Sequence, residues 1–558
     1  MTIFLNTALI CFFYYIIGQS HSNLKNNFSN YCLQIINGSI ILSFIALLSN
    51  FFSGLNLLFN SLVFLVLIFY AFYKKSYKIL FNKTNIKTLI LISLFSTILI
   101  FLSNSNRPDS GLYHFPFIKL LNDEKIIMGI TNVNSRFGTV SIIQYLQAIS
   151  NNYITMTNGM LLPLSILPSV IYLYFISEIK NQLRKKITIN KTYLLYLFFT
   201  IIFCTYKMNR YSEYGNDYIP HFLVFFLISL LFKYKKRISF SNIYFYTVFI
   251  FLNKITFLSI FIIPFITLKL NFKKKNFLNR KTFFASFFLI LWIVKNVMNS
   301  GCMFWPINKS CIEKLSWFNK DKNSIHYVQN VNNITEAWSK AWPDRTNNSG
   351  TIESYINGYE WIKVWLTKHA KKIFNILGVY ILILIIISIF LINNSKHKLL
   401  RIHDPYRLKY LIMLISIFTF SSLVWFLKFP VYRLGISNLV LIIILTFIII
   451  NKNIVLNKKN IDLIKYLSLF CVVIIISKNM LKFSKYDISY NNHPWPKYYS
   501  FSTKNDEIAL TKIKINNEFS HYKTNGGLCM YSKSPCTNEN ISKLLKMKNK
   551  FSYKVYYF

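Results

Sequence analysis

The residues best suited to chemistry lie in a polar run after the fourth apolar segment, Asn106-Arg107-Pro108-Asp109-Ser110-Gly111-Leu112-Tyr113-His114, and in Asn134-Ser135-Arg136-Phe137-Gly138 beyond it. Asp109 could take a proton from an acceptor hydroxyl, His114 could orient a substrate, and Arg136 could pair bidentately with a phosphate. The same run also reads as a solvated turn built on Pro108, Asp109 and Gly111. Two further acids, Glu213 and Asp217, fall in a later connection between apolar segments. Either could complete a carboxylate pair with Asp109; both also read as exposed loop acids. Four cations lie within or beside apolar segments: Lys254, Lys295, Lys428 and Arg433. An unpaired cation at bilayer depth costs roughly 3 kcal/mol or more, so such residues face a cavity or a partner, or snorkel to the interface as Lys428 can. Lys254 and Arg433 are the candidates for holding a lipid-linked phosphate, and Pro430 is placed to break the helix before Arg433.

The elements that must carry these residues are set by composition. Of 558 residues, 53% are hydrophobic and only 15% are charged, with a mean hydropathy of +0.37. A single soluble globule is excluded, and the pattern predicts an all-α polytopic transmembrane bundle of about 14 spans. These are expected at about 1–18, 31–49, 54–73, 87–103, 154–176, 193–206, 218–232, 239–252, 254–268, 282–300, 373–392, 410–427, 434–450 and 461–481. The pair around Asn253-Lys254 is short and reads as two half-length or tilted helices. The apolar stretch Phe137 to Ser150 is too short to span and is expected as an interfacial helix.

The net charge of +45 would point to nucleic acid in a soluble protein. Its distribution reverses that reading. Basic residues crowd one alternate set of loops, Lys74 to Lys87, Lys180 to Lys191, Lys233 to Arg237 and Lys269 to Lys281, which the positive-inside rule makes cytoplasmic. Most acids fall on the other side, so carboxylate chemistry and both termini are expected outside. The abundance of Lys, Asn, Ile, Phe and Tyr also fits AT-rich codon usage. The expected organisation is a membrane domain over 1–481, with outer loops at 104–153 and 301–372, and an extracytoplasmic segment over 482–558. Tryptophans of the second loop suit sugar rings or a headgroup belt equally.

Cys302 with Cys311 and Cys529 with Cys536 are close pairs in outer segments and are expected as disulfides. Neither has CxxC spacing or a histidine cluster, which argues against zinc. The sequence has no Walker A motif, no GxGxxG opening a helix and no GxSxG elbow.

Asp109 to His114 with Arg136-Phe137-Gly138, Trp425-Phe426-Leu427 with Pro430 and Arg433, and the Cys529 to Cys536 loop together resemble a family of uncharacterised bacterial polytopic membrane proteins. More distantly, an acid in the first large outer loop with a second outer acid resembles the GT-C superfamily, which transfers sugars from polyprenyl-phosphate donors. That resemblance implies Asp109 as catalytic base, Asp217 as second acid, a lipid-linked sugar donor, a glycan or lipid acceptor, and a bacterial inner-membrane location, with no nucleic-acid partner. A divalent metal stays open as a cofactor, without a ligand motif to hold it. This chain has Phe429-Pro430-Val431-Tyr432 where that superfamily places an acidic element. A polysaccharide polymerase or ligase, or a transporter or flippase of lipid-linked sugars, is the alternative.

Overall fold

The computed structural model describes residues 2–21, 27–74, 83–100, 109–185, 189–208, 217–234, 239–270, 279–318, 324–344, 350–395, 405–484, 510–515, 517, 519–524, 528–539, 541 and 543–558. Glu213 lies outside them. Nineteen α-helices are described: α1 (Thr2–His21), α2 (Phe28–Asn50), α3 (Leu57–Tyr73), α4 (Lys83–Ile100), α5 (Phe115–Asp123), α6 (Ile142–Ile149), α7 (Leu162–Leu183), α8 (Lys191–Lys207), α9 (Tyr218–Tyr234), α10 (Phe240–Asn253), α11 (Ile262–Leu270), α12 (Arg280–Ser300), α13 (Ser324–Ser339), α14 (Ile352–Asn357), α15 (Glu360–Trp365), α16 (Lys371–Asn393), α17 (Pro405–Lys428), α18 (Tyr432–Ile450) and α19 (Lys458–Ser484). Among the described residues eight helices are long and apolar enough to cross a membrane, and five further apolar helices are shorter.

Burial sorts these helices into centre and rim. The span containing α7 is 94% buried, whereas the α19 span is 28% buried and shows apolar residues such as Leu469 and Phe470 outward. An outward apolar face is stable where hydrocarbon, not water, covers it. Asparagine side chains start many helices by accepting a backbone N–H: Asn27 for α2, Asn56 for α3, Asn190 for α8 and Asn279 for α12. Helices α1 and α2 approach closely because a Cβ at Gly18 would stand 1.8 Å from the Gln34 carbonyl oxygen, and one at Gly38 1.7 Å from that of Tyr14.

Two ends of the bundle are distinguishable. At one, Glu178 in α7 bonds Lys233 at the end of α9 (3.1 Å), and Lys191 reaches the Ile454 carbonyl (3.0 Å). At the other, α10 stops at Asn253, Lys254 is extended (φ −157°, ψ 120°), and a 3-10 segment Ile255–Phe261 leads into α11. Broken backbone within a bilayer requires burial in protein or a polar cavity. The expected helix at 137–150 is the shorter α6, started by a capping box of Ser141 and Gln144. All its residues are buried, against α2 and α5 among others.

The C-terminal segment adds β-structure to an otherwise helical chain. Strands β1 (Leu510–Lys514) and β2 (Ser520–Thr524) pair antiparallel, as do β3 (Lys546–Lys550) and β4 (Tyr553–Tyr557). This lobe is docked on the helical domain: Met128 exchanges backbone bonds with Lys554 and Tyr556 (both 2.9 Å), and the Tyr553 hydroxyl donates to the Phe51 carbonyl (2.6 Å).

Candidate functional site

Five short stretches meet where helices begin and end. Asp109 precedes a π-helical turn, Ser110–His114, that runs into α5. Arg136 sits in a 3-10 turn, Ser135–Gly138, and its own N–H is capped by the Asn134 side chain. Asp217 stands just before α9, Lys254 at the break after α10, and Arg433 in the first turn of α18. Both α9 and α18 point their N-termini here, which adds positive potential to the charges.

These residues form one ion network. Arg433 Nη1 is 3.2 Å from Asp109 Oδ2, and its Nε is 3.5 Å from Asp217 Oδ2. Arg136 Nη1 lies 3.7 Å from Asp109 Oδ1, and Lys254 Nζ bonds Asp217 Oδ1. Three cations thus meet two carboxylates, leaving one positive charge in excess. Aromatic faces support both guanidinium groups: Trp338 lies 5.1 Å from Arg433 and Tyr113 5.0 Å from Arg136.

Burial raises the Asp217 carboxyl, but Lys254 and Arg433 outweigh it and hold it at about 2. Burial lowers His114 from 6.5 to about 4 against the pull of Asp217 and Asp109, so the ring is neutral near pH 7. Its Nδ1 is 3.5 Å from the Gln144 amide. Burial also pushes the Tyr113 hydroxyl upward, with Asp109 adding to the effect.

The connection before Arg433 is fixed by two indoles. Trp365 Nε1 donates to the Pro430 carbonyl (2.5 Å) and Trp425 Nε1 to that of Val431 (2.9 Å). His221 in α9 then ties down the α18 start, bonding the Arg433 carbonyl through Nε2 (2.9 Å) and Ser437 through Nδ1 (2.7 Å). A carbonyl only accepts, so Nε2 carries the proton and the Ser437 hydroxyl donates to Nδ1.

The structure therefore brings together Asp109, Asp217, Arg136, Lys254 and Arg433, with His114 alongside. Lys428 lies elsewhere, paired with Glu336 (3.2 Å), and Lys295 is fully buried in α12 with its ammonium 3.5 Å from the Trp292 ring. Disulfides join Cys302 to Cys311 and Cys529 to Cys536. Three of the six tryptophans in 301–372, Trp305, Trp361 and Trp365, are buried; Trp338 is the one at the ion network. Gln144 and His221 escaped sequence reasoning, and Tyr113 stood in the polar run without a role of its own. A lone histidine in an apolar helix is a signal that could have found His221. Among the described residues no group of three or more metal-ligating side chains occurs.

Such a network can bind an anion at the three cations while offering a carboxylate as a base. No curated protein and no solved structure matches the chain. A family model described as a domain of unknown function (DUF8201) matches residues 1–440, which takes in every residue of the ion network, and the chain belongs to that family.

Proposed function

We propose that the protein is a GT-C-like membrane glycosyltransferase that takes a sugar from a lipid-linked phosphate donor at the outer face of a bacterial inner membrane, for surface polysaccharide or glycolipid assembly. The observation that carries this reading is the meeting of Asp109 with Arg433 and Arg136 at a helix break. The cations would hold the donor phosphate, Asp109 would deprotonate the acceptor hydroxyl, and Asp217 would hold Lys254 and Arg433 in place. In this reading the chain crosses the bilayer about 14 times, with the lysine-rich connections cytoplasmic and the ion network outside. A transporter of lipid-linked sugars is the second reading, favoured by the interrupted α10–α11 pair, since discontinuous helices recur at transporter sites.

The test is turnover and donor binding in reconstituted vesicles with a polyprenyl-phosphate sugar. Asp109→Asn should lower turnover by on the order of 10² to 10⁴, and Arg433→Ala should chiefly weaken donor binding. Full turnover in Asp109→Asn would leave the transporter reading ahead. Absence of polyprenyl-phosphate binding to the unmodified protein would defeat both.

A further inference from the structure

The C-terminal lobe touches both site-bearing segments through one loop, residues 528–539, which the Cys529–Cys536 disulfide closes. Cys529 and Cys536 are both buried, so the bridge acts as a staple shielded from solvent reductants. Toward the Asp109 segment, the Met530 N–H donates to the Gly111 carbonyl (2.9 Å). A Cβ at Gly111 would lie 2.6 Å from Met530 Sδ and 3.1 Å from Leu528 Cβ, so the lobe packs tightly against the residue two after Asp109. Toward the Arg136 segment, Asn134 donates to the Thr537 hydroxyl (3.2 Å).

The strongest attachment is at Ser135, the residue before Arg136. Glu539 accepts from the Ser135 N–H through Oε2 (2.9 Å) and from the Ser135 hydroxyl through Oε1 (2.7 Å). The Ser135 carbonyl is taken as well, by Trp305 Nε1 (3.0 Å). Every polar atom of Ser135 thus has a fixed partner, and a two-pronged carboxylate is the side chain suited to hold two donors at once. Among the described residues, the arginine of the turn that follows has one charge partner, Asp109, at 3.7 Å.

We propose that Glu539 is the positioning residue for Arg136, so that the C-terminal lobe, from beyond the residues the family model matches, completes the phosphate-binding side of the site. The proposal rests on the reading of Arg136 as a phosphate ligand. The staple closes the loop that carries Met530 and ends three residues before Glu539, so it ties together the chain ends that grip the two segments.

A double-mutant cycle tests it on the full chain, with binding of a polyprenyl phosphate as readout. Glu539→Ala should weaken binding by about tenfold, Glu539→Gln by less because its carbonyl still accepts one bond, and Arg136→Ala by about tenfold or more. In an Arg136→Ala background Glu539→Ala should cost nothing further, because its effect passes through the arginine. Additive losses would overturn the proposal in favour of a general stabilising role. Ser135→Ala, which keeps one of the two bonds, serves where Glu539→Ala does not fold, and unchanged affinity there and in Glu539→Gln would likewise overturn it. If the unmodified protein binds no polyprenyl phosphate, the functional reading fails by itself. Amide hydrogen exchange across residues 135–138 then decides the clamp: at least tenfold faster exchange in Glu539→Ala supports it, and equal exchange refutes it.

Discussion

The ion network makes an unusual demand of Asp109→Asn: this substitution should tighten donor binding while it removes turnover. Asp109 occupies Arg433 Nη1 at 3.2 Å and stands 3.7 Å from Arg136, the same donors a phosphate oxygen would use. Its side chain is 31% exposed and those of the arginines 39% and 51%, so each pair is worth about 0.5 to 1 kcal/mol rather than the several expected in a dry interior. A bound phosphate must displace both, at a cost of about 1 to 2 kcal/mol, and must also tolerate a nearby carboxylate charge. Asparagine keeps the shape and drops that charge. The dissociation constant for a polyprenyl phosphate should therefore fall about 5- to 30-fold, an effect that shrinks as salt is raised. Equilibrium binding of a radiolabelled polyprenyl phosphate to detergent-purified protein, beside turnover in vesicles, measures both. Weaker binding in Asp109→Asn would mean that the carboxylate chiefly holds Arg433 in place, and the displacement argument would fall.

Three further outcomes follow from other charged groups. Lys295 is fully buried with no hydrogen-bond acceptor among the described residues, so Lys295→Met should leave stability unchanged or raise it by about 1 to 3 kcal/mol; a large loss in thermal unfolding would contradict this. Glu336 joins the buried Lys340 (2.7 Å) and Lys428, and Glu336→Gln should cost about 3 kcal/mol by stranding Lys340, again read from the unfolding midpoint. His114 is lowered from 6.5 to about 4, so below pH 6.5 the unfolded chain takes up a proton that the folded site refuses. Stability contributed by the neutral ring is full above 6.5 and lost as pH falls toward 4; His114→Gln should lack that slope in unfolding midpoints taken across the window, and an unchanged slope would show that other groups cause it.

Hydropathy located the helices well because membrane length and apolar content are local properties. The stretches expected at 373–392 and 434–450 fall within α16 and α18, and the break at Lys254 is where two short apolar segments pointed. What escaped was non-local. Four five-residue strands rich in Lys and Tyr carry no burial pattern of their own, and β4 is anchored by Met128, far away in sequence. The same division holds for the site. Acids and cations at the edge of apolar segments are costly and so conspicuous, which picked out Asp109, Asp217, Lys254 and Arg433. That Asp109 meets Arg433 across 324 residues, or that Glu539 grips Ser135, depends on packing that no spacing encodes.

Comparison among the ion networks separates ligand binding from structural bonding. Glu178, with a side chain 3% exposed, is saturated by Lys233, Asn181 and the Tyr193 hydroxyl. Glu336 and Lys340 are likewise 5% and 4% exposed. Breaking such buried pairs costs about 3 to 5 kcal/mol, so no exchangeable ligand could compete for them. Isolated surface pairs such as Lys368–Asp344 are open but join a single acid to a single base at 3.9 Å. The network at Asp109 is intermediate: its five side chains are 21% to 51% exposed, each carboxylate meets two cations, and its arginines lie over aromatic faces. Its bonds are weak enough for a phosphate to displace, while its two arginines stay in place because the indoles of Trp365 and Trp425, His221, and Glu539 through Ser135 hold the backbone beneath them. Loose charge pairs on a rigid frame would suit the exchange of ligand that the proposed function requires.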